Sequence, residues 1–157
     1  MRVDERTLVE FLHGRHIASL ATHGADGSAH VTPIWYLFED GAFYLPTGPH
    51  TVKVRNVRAR PQASVMVDSR GPGPLRSAST SGPAEVLDAD RARAFNERCW
   101  ARYVTAAGRA DAGVGGILER YDSVCIKATP SGWIWSDMGA VFKGKLENPS
   151  LVLPLSP

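Results

Sequence analysis

Cysteine is scarce. The 157-residue chain has two, Cys99 and Cys125. Each lies in an apolar stretch, without CxxC spacing and without a histidine close by in sequence. That excludes a disulfide framework and a zinc motif, and reads as two buried thiols in a reducing compartment. Charge of one sign is equally lacking: the net charge is +2, too little to argue for nucleic acid binding. Long apolar runs are absent, and the charged opening Met1–Arg6 leads into none. No signal peptide or membrane span is expected, and the cytoplasm is the expected location. The five histidines, His13, His16, His23, His30 and His50, show no helical metal spacing. No metal site is expected. No Ser-His-Asp or Cys-His arrangement follows from the spacing either, so no catalytic residue is assigned.

What is there is ordinary for a globular chain, with 43% apolar and 22% charged residues. The length fits one domain over residues 1–157, with 143–157 as a C-terminal tail. A first helix is expected from Asp4 to His13, capped by Asp4, with Leu8, Phe11 and Leu12 on one face and Gly14 ending it. Ile17–Thr22 reads as a strand, and Asp26-Gly27 as a hairpin turn. Ala29–Phe38 reads as one longer strand with apolar groups on both faces, as in a strand buried on two sides. Pro33 interrupts its ladder, which predicts a bulge or an edge and frees backbone groups beside Thr32 and Trp35. Asp40-Gly41 leads into Ala42–Leu45, completing a three-stranded meander.

The next stretch, Thr47-Gly-Pro-His-Thr-Val-Lys-Val-Arg-Asn-Val-Arg-Ala-Arg-Pro61, is the most informative in the chain. It reads as a turn opening a short basic helix that stops at Pro61. Thr51 is placed to cap the helix, whose first amides lack intrahelical partners. Lys53 lies beside those donors in the first turn. A helix start with a lysine next to it is a ready anion site, and phosphate is the usual anion. Lys53, Arg55 and Arg58 also fit a solvated helix face. His50 lies beside the stretch and can change charge near neutral pH.

Beyond it, Gln62–Asp68 alternates as a strand, Gly71–Pro74 is a loop, and Arg76–Leu87 is a strand marked by Gly82-Pro83. Asp88 is placed to cap a helix over Ala89–Val104 with an apolar stripe at Ala92, Phe95, Cys99 and Tyr103. Ala106–Gly116 is small and flexible in composition. Its Gly113-Val-Gly-Gly116 lacks the preceding strand of a dinucleotide fingerprint. Ile117–Tyr121 reads as a helical turn, followed by strands over Ser123–Ala128 and Gly132–Ser136. Trp35 and Tyr36 face opposite sides of their strand; Trp133 and Trp135 share a side, either stacking on a ligand or filling an interface. About six antiparallel strands and three short helices favour a closed or split barrel over a sandwich.

The segments Ile17-Ala-Ser-Leu-Ala-Thr22, Asp26-Gly27, Val31-Thr-Pro-Ile-Trp35 and Lys53-Val-Arg-Asn-Val-Arg-Ala-Arg-Pro61, in this order and spacing, resemble the flavin-binding split-barrel proteins related to pyridoxamine 5′-phosphate oxidase. More narrowly, they resemble its probable deazaflavin (coenzyme F420)-dependent oxidoreductases. The resemblance runs from Ile17 to Asp68 and more loosely to Leu87. It implies a mainly β, antiparallel FMN-binding split barrel with short helices. It further implies a homodimer with two cofactors at the interface, and a small-molecule substrate. By position it implies Lys53 as phosphate ligand, Thr51 and Thr47 near the cofactor chain, and Thr32, Pro33, Ile34 and Trp35 along the ring. Arg55 and Asn56 complete the implied cofactor-binding set. The chain departs from the FMN oxidases in having His50-Thr51 where they carry an arginine-rich phosphate motif. It also lacks their C-terminal substrate-arginine motif, which makes pyridoxine phosphate oxidation an unsuitable reading. The implied cofactor is F420, with FMN as alternative. A non-catalytic flavin- or haem-binding protein is the alternative function.

Overall fold

The computed structural model describes residues 3–69, 75–120, 124–142 and 145. Helix α1 (Glu5–Leu12) starts at Asp4, whose carboxylate accepts from the Thr7 amide at 2.9 Å. Its i, i+4 pair Leu8 and Leu12 is buried, which stabilises the docked helix by roughly 1.5–3 kcal/mol per side chain. Strands β1 (Ala18–His23) and β2 (Ala29–Ile34) form a hairpin in which Gly27 takes a positive φ of 84°.

The strand expected over Ala29–Phe38 is broken at Trp35–Tyr36. Its remainder, β3 (Leu37–Glu39), pairs with β4 (Ala42–Thr47) and not with β2. There are thus two hairpins here and no meander. The turn joining β3 to β4 has φ of 49° at Asp40 and 72° at Gly41, the two positive values a type I′ turn needs. The two-sided burial expected of this segment does not hold for β2, an edge strand whose side chains are exposed or half-buried. Pro33 is tolerated because it stands at that edge.

Helix α2 (Val52–Ala59) is followed by β5 (Gln62–Asp68) and the thirteen-residue β6 (Arg76–Asp88). Helix α3 (Ala89–Tyr103) comes next. The stretch expected to be flexible, Ala106–Gly116, folds into α4 (Ala106–Ala110) and the first part of α5 (Ala112–Arg120), whose last turn falls where a helical turn was expected. Thr105 accepts from the Gly108 amide and Asp111 from the Gly113 and Val114 amides, so capping side chains offset the low helix propensity of these glycines. Strands β7 (Val124–Ala128) and β8 (Ile134–Asp137) and the short α6 (Met138–Phe142) end the described chain. The loop at Gly71–Pro74, the residues Tyr121–Ser123 and, apart from Lys145, the tail 143–157 lie outside the described residues.

The strand order is β2-β1-β5-β6-β7-β4-β3, with β8 also on β6. The two end strands do not pair, so the barrel is split. Strand β6 joins the two leaves. Its first part pairs with β5 and β8, and from Ala84 onward it pairs with β7. The switch falls at Gly82-Pro83, where a Cβ on residue 82 would run into the Thr129 carbonyl. Between the leaves lies a core of Leu20, Val65 and Val67 from one and Phe43, Leu45 and Ile126 from the other, closed by Leu8, Leu12, Val54 and Val57. A second cluster under α3 contains Tyr44, Leu87, Ala92, Cys99 and Cys125. Strand β4 separates the two clusters and is buried along its whole length, with alternate residues feeding each.

Candidate functional site

The end of β4 runs into the turn that starts α2. There the structure brings three expected residues together. Lys53 Nζ lies 3.5 Å from Thr47 Oγ1, and Thr47 Oγ1 lies 3.4 Å from Thr51 Oγ1. Thr47 is 2% exposed and Lys53 half-buried. Partial burial lowers the Lys53 pKa, because desolvation disfavours the ammonium form. Among the described residues no carboxylate pairs with it. A half-buried ammonium donating to the Thr47 hydroxyl is suited to an incoming anion.

Thr51 occupies the N-cap position but does not cap. Its hydroxyl donates to the Gly48 carbonyl at 3.0 Å, and the first-turn amides of α2 receive no side-chain cap. The expected use of that hydroxyl is thereby corrected: it stiffens the turn. Uncapped amides and Lys53 make an electropositive helix start.

The remaining residues of the basic stretch sort by contact. Arg58 lies 3.8 Å from Asp88 across solvent, an exposed pair of little energetic weight. Asp88 in turn does not cap α3. Arg60 donates to the Ala25 carbonyl at 3.1 Å. Arg55 is exposed, as is His50. Asn56 is 4% exposed and faces inward; its amide donates to Thr22 Oγ1 of β1 at 3.1 Å.

The expected ring-side residues lie on β2 and at the break after it. Thr32 Oγ1 is buried and has no hydrogen-bond partner. Pro33 is exposed and Ile34 half-buried against the main core. Trp35 stacks on Tyr103 of α3, with centroids 4.9 Å apart and planes 3° from parallel, and meets Trp100 edge-on. Tyr36 is the core member of the pair, its hydroxyl donating to the Leu12 carbonyl. Trp133 packs against Phe38 and Phe43, and Trp135 against Phe11, so both belong to the main core.

Thr22 and Tyr103 were not singled out from sequence as site residues. A threonine on the same face of β1 as Ala18 and Leu20 is a faint signal for Thr22, and the stripe on α3 carries one for Tyr103.

A groove of about 520 Å³ lies elsewhere, on the outer face of the first leaf. Its floor includes Ser19, Ala21, Ser64, Ser79 and Ser81, and its walls Val31, Met66 and Ile134. Ser19 and Ala21 alternate with Leu20 and Thr22, so this face of β1 is opposite the one that α2 covers. Val31 is 59% exposed and Ile134 74%.

An open antiparallel split barrel with a cationic helix start at the end of a central strand defines the class of fold to which the chain belongs. Residues 5–129 match the family model of pyridoxamine 5′-phosphate oxidase, and the chain belongs to that family. Among solved structures, it is similar to the conserved hypothetical protein Rv2991 from Mycobacterium tuberculosis, at 23% identity and a TM-score of 0.73, covering 100% of this chain and 92% of that one. It is similar to an F420 reductase at 22% identity and 0.62, covering 80% and 94%. It is also similar to HutZ, the haem storage protein from Vibrio cholerae, at 18% and 0.65, covering 85% and 94%. At these identities the likenesses show the fold. Comparison with the curated proteins finds no match.

Proposed function

We propose that this protein is an oxidoreductase that binds a deazaflavin, coenzyme F420, and serves hydride transfer to a small electron-poor substrate; FMN is the alternative cofactor. The observation that carries this reading is Lys53: half-buried, without a carboxylate partner among the described residues, bonded to the Thr47 hydroxyl that in turn meets the Thr51 hydroxyl, and standing in the first turn of an uncapped helix. The likeness to an F420 reductase supports the choice of cofactor.

The residues present fit such a group. Lys53 and the first-turn amides would hold its phosphate, with Thr47 and Thr51 beside them. The unpartnered Thr32 hydroxyl is a buried polar group that gains a hydrogen bond when a polar ring edge lies against β2. Pro33 and Ile34 would line the same strand. Trp35, held flat on Tyr103, fixes the backbone where β2 ends. Arg55 is free to contact the acidic tail of the deazaflavin from outside. When bound, the deazaflavin supplies the hydride chemistry; the chain contributes binding, orientation and exclusion of water. No catalytic acid or base is assigned to it.

The reading includes a homodimer in which a second copy completes the substrate pocket. The apolar groove face of the first leaf, with Val31, Met66 and Ile134 exposed, supports it.

Titration of the purified protein with oxidised and reduced F420 and with FMN tests the proposal. Binding of F420 at micromolar concentration or tighter is expected; failure of both cofactors to bind below high micromolar overturns it. A second reading, a flavin or haem carrier without turnover, is favoured by the likeness to HutZ. It predicts a yellow protein or a Soret band on purification and no reductase activity with F420.

A further inference from the structure

We infer that Asn56 and Thr22 are a positioning pair: their buried hydrogen bond sets where Lys53 stands relative to β2. The inference rests on the cofactor reading above and gives Asn56, one of the expected cofactor-binding residues, a role through Lys53 in place of a ligand contact. Helix α2 is eight residues long and holds to the core through Val54 and Val57, which are fully buried. Apolar contacts are non-directional, so these two alone leave the rotation of so short a helix about its axis loosely fixed. The Asn56 amide supplies direction. It lies three residues after Lys53, on the same side of the helix, and donates to a hydroxyl that is 1% exposed.

Thr22 has a second connection. Across the β1–β2 ladder it stands opposite His30, and Leu20 stands opposite Thr32, whose hydroxyl is the unpartnered one. One residue of β1 therefore ties the helix bearing the cation to the strand pair bearing the ring-side threonine. Breaking that tie changes the distance a ligand must span between its phosphate and its ring. Effects of this kind are felt in affinity even when every contacting residue is unchanged.

The test uses the full chain carrying Thr22→Val, Thr22→Ser and Lys53→Ala, singly and with Thr22→Val combined with Lys53→Ala. Each is titrated with F420 well below its melting transition, with circular dichroism giving the folded fraction. Thr22→Val should weaken binding about tenfold at unchanged folded fraction, and Thr22→Ser should restore it to within about twofold. In the Lys53→Ala background the same valine should cost less than about twofold, since the pair acts through Lys53. Equal affinity of wild type and Thr22→Val overturns the inference, as does an equal loss in both backgrounds. A wild type that binds neither F420 nor FMN overturns the proposed function and this inference with it. Wild-type binding alongside an unaffected valine variant overturns the inference alone.

Discussion

At the scale of single residues, Lys53 is the group on which the functional reading turns. Burial lowers its pKa in the free protein, and a bound phosphate pulls the pKa back up by favouring the ammonium form. The sign follows. Anion affinity is full below the free-state value, falls as pH rises through it, and binding takes up a proton in the window between free and bound values. Calorimetry in buffers of different ionisation enthalpy should detect that uptake at alkaline pH below 10.5, the ordinary lysine value. Lys53→Arg should abolish the uptake, since a guanidinium stays charged there; persistence of the uptake would assign it to another group. The cysteines provide a separate check. Burial raises both thiol pKa values, Cys99 to about 12. Neither thiol should react with an aromatic disulfide reagent in native buffer, and both should react in denaturant. Fast native labelling would contradict the packing under α3.

These residues were unequally legible in the sequence. Lys53 stood out because a strand, a turn and a basic helix follow one another within a few positions, while Thr47 came from the family resemblance alone. Asn56 was expected as a cofactor contact, and the inward rotation that gives it to Thr22 is a tertiary fact. Thr51 was legible as an N-cap by position, but the competing Gly48 carbonyl took its hydroxyl. Trp35 was legible as one of a pair facing opposite sides. The stacking partner that receives it, Tyr103, lies 68 residues further along the chain, beyond the reach of local periodicity.

At the scale of elements, the hairpin at Asp40-Gly41 and the helices α1, α2 and α3 follow from local chemistry, which is why the sequence announced them. The break at Trp35–Tyr36 does not. An apolar run of ten residues looks like one strand until the two leaves of a barrel compete for its halves. Helix α4 and the first part of α5 were hidden by alanine and glycine, whose capping partners Thr105 and Asp111 are visible only once the helices exist. The partner switch along β6 yields a prediction at this scale. Gly82→Ala places a methyl group against the Thr129 backbone carbonyl, which a rotamer change cannot relieve. A loss of about 1–3 kcal/mol is expected in urea unfolding, the cost of overpacking. A loss near zero would mean that the crossing of β6 with the β7–β8 connection is looser than described.

At the scale of the whole molecule, antiparallel strands joined by short turns pointed to a closed or split barrel, the motif resemblance narrowed that to a split barrel, and the family membership agrees with it. Among the described residues no helix is long and apolar enough to cross a membrane. The apolar face of the first leaf was not legible as a surface, because Val31, Met66 and Ile134 come from three separate strands. If a second copy covers this face, light scattering should give twice the 17.0 kDa of one chain. Ile134→Glu combined with Val31→Glu should then shift the protein to monomer. A monomeric wild type would contradict the dimer reading.

The central claim is that the start of α2 anchors an anionic deazaflavin through Lys53, and the F420 affinity of wild type against Lys53→Ala measures it most directly. The account predicts a loss of about 1.5–3 kcal/mol, the scale of a charge-assisted hydrogen bond. That loss corresponds to roughly tenfold to a hundredfold in Kd. Equal affinity of the two proteins, each folded, would contradict it.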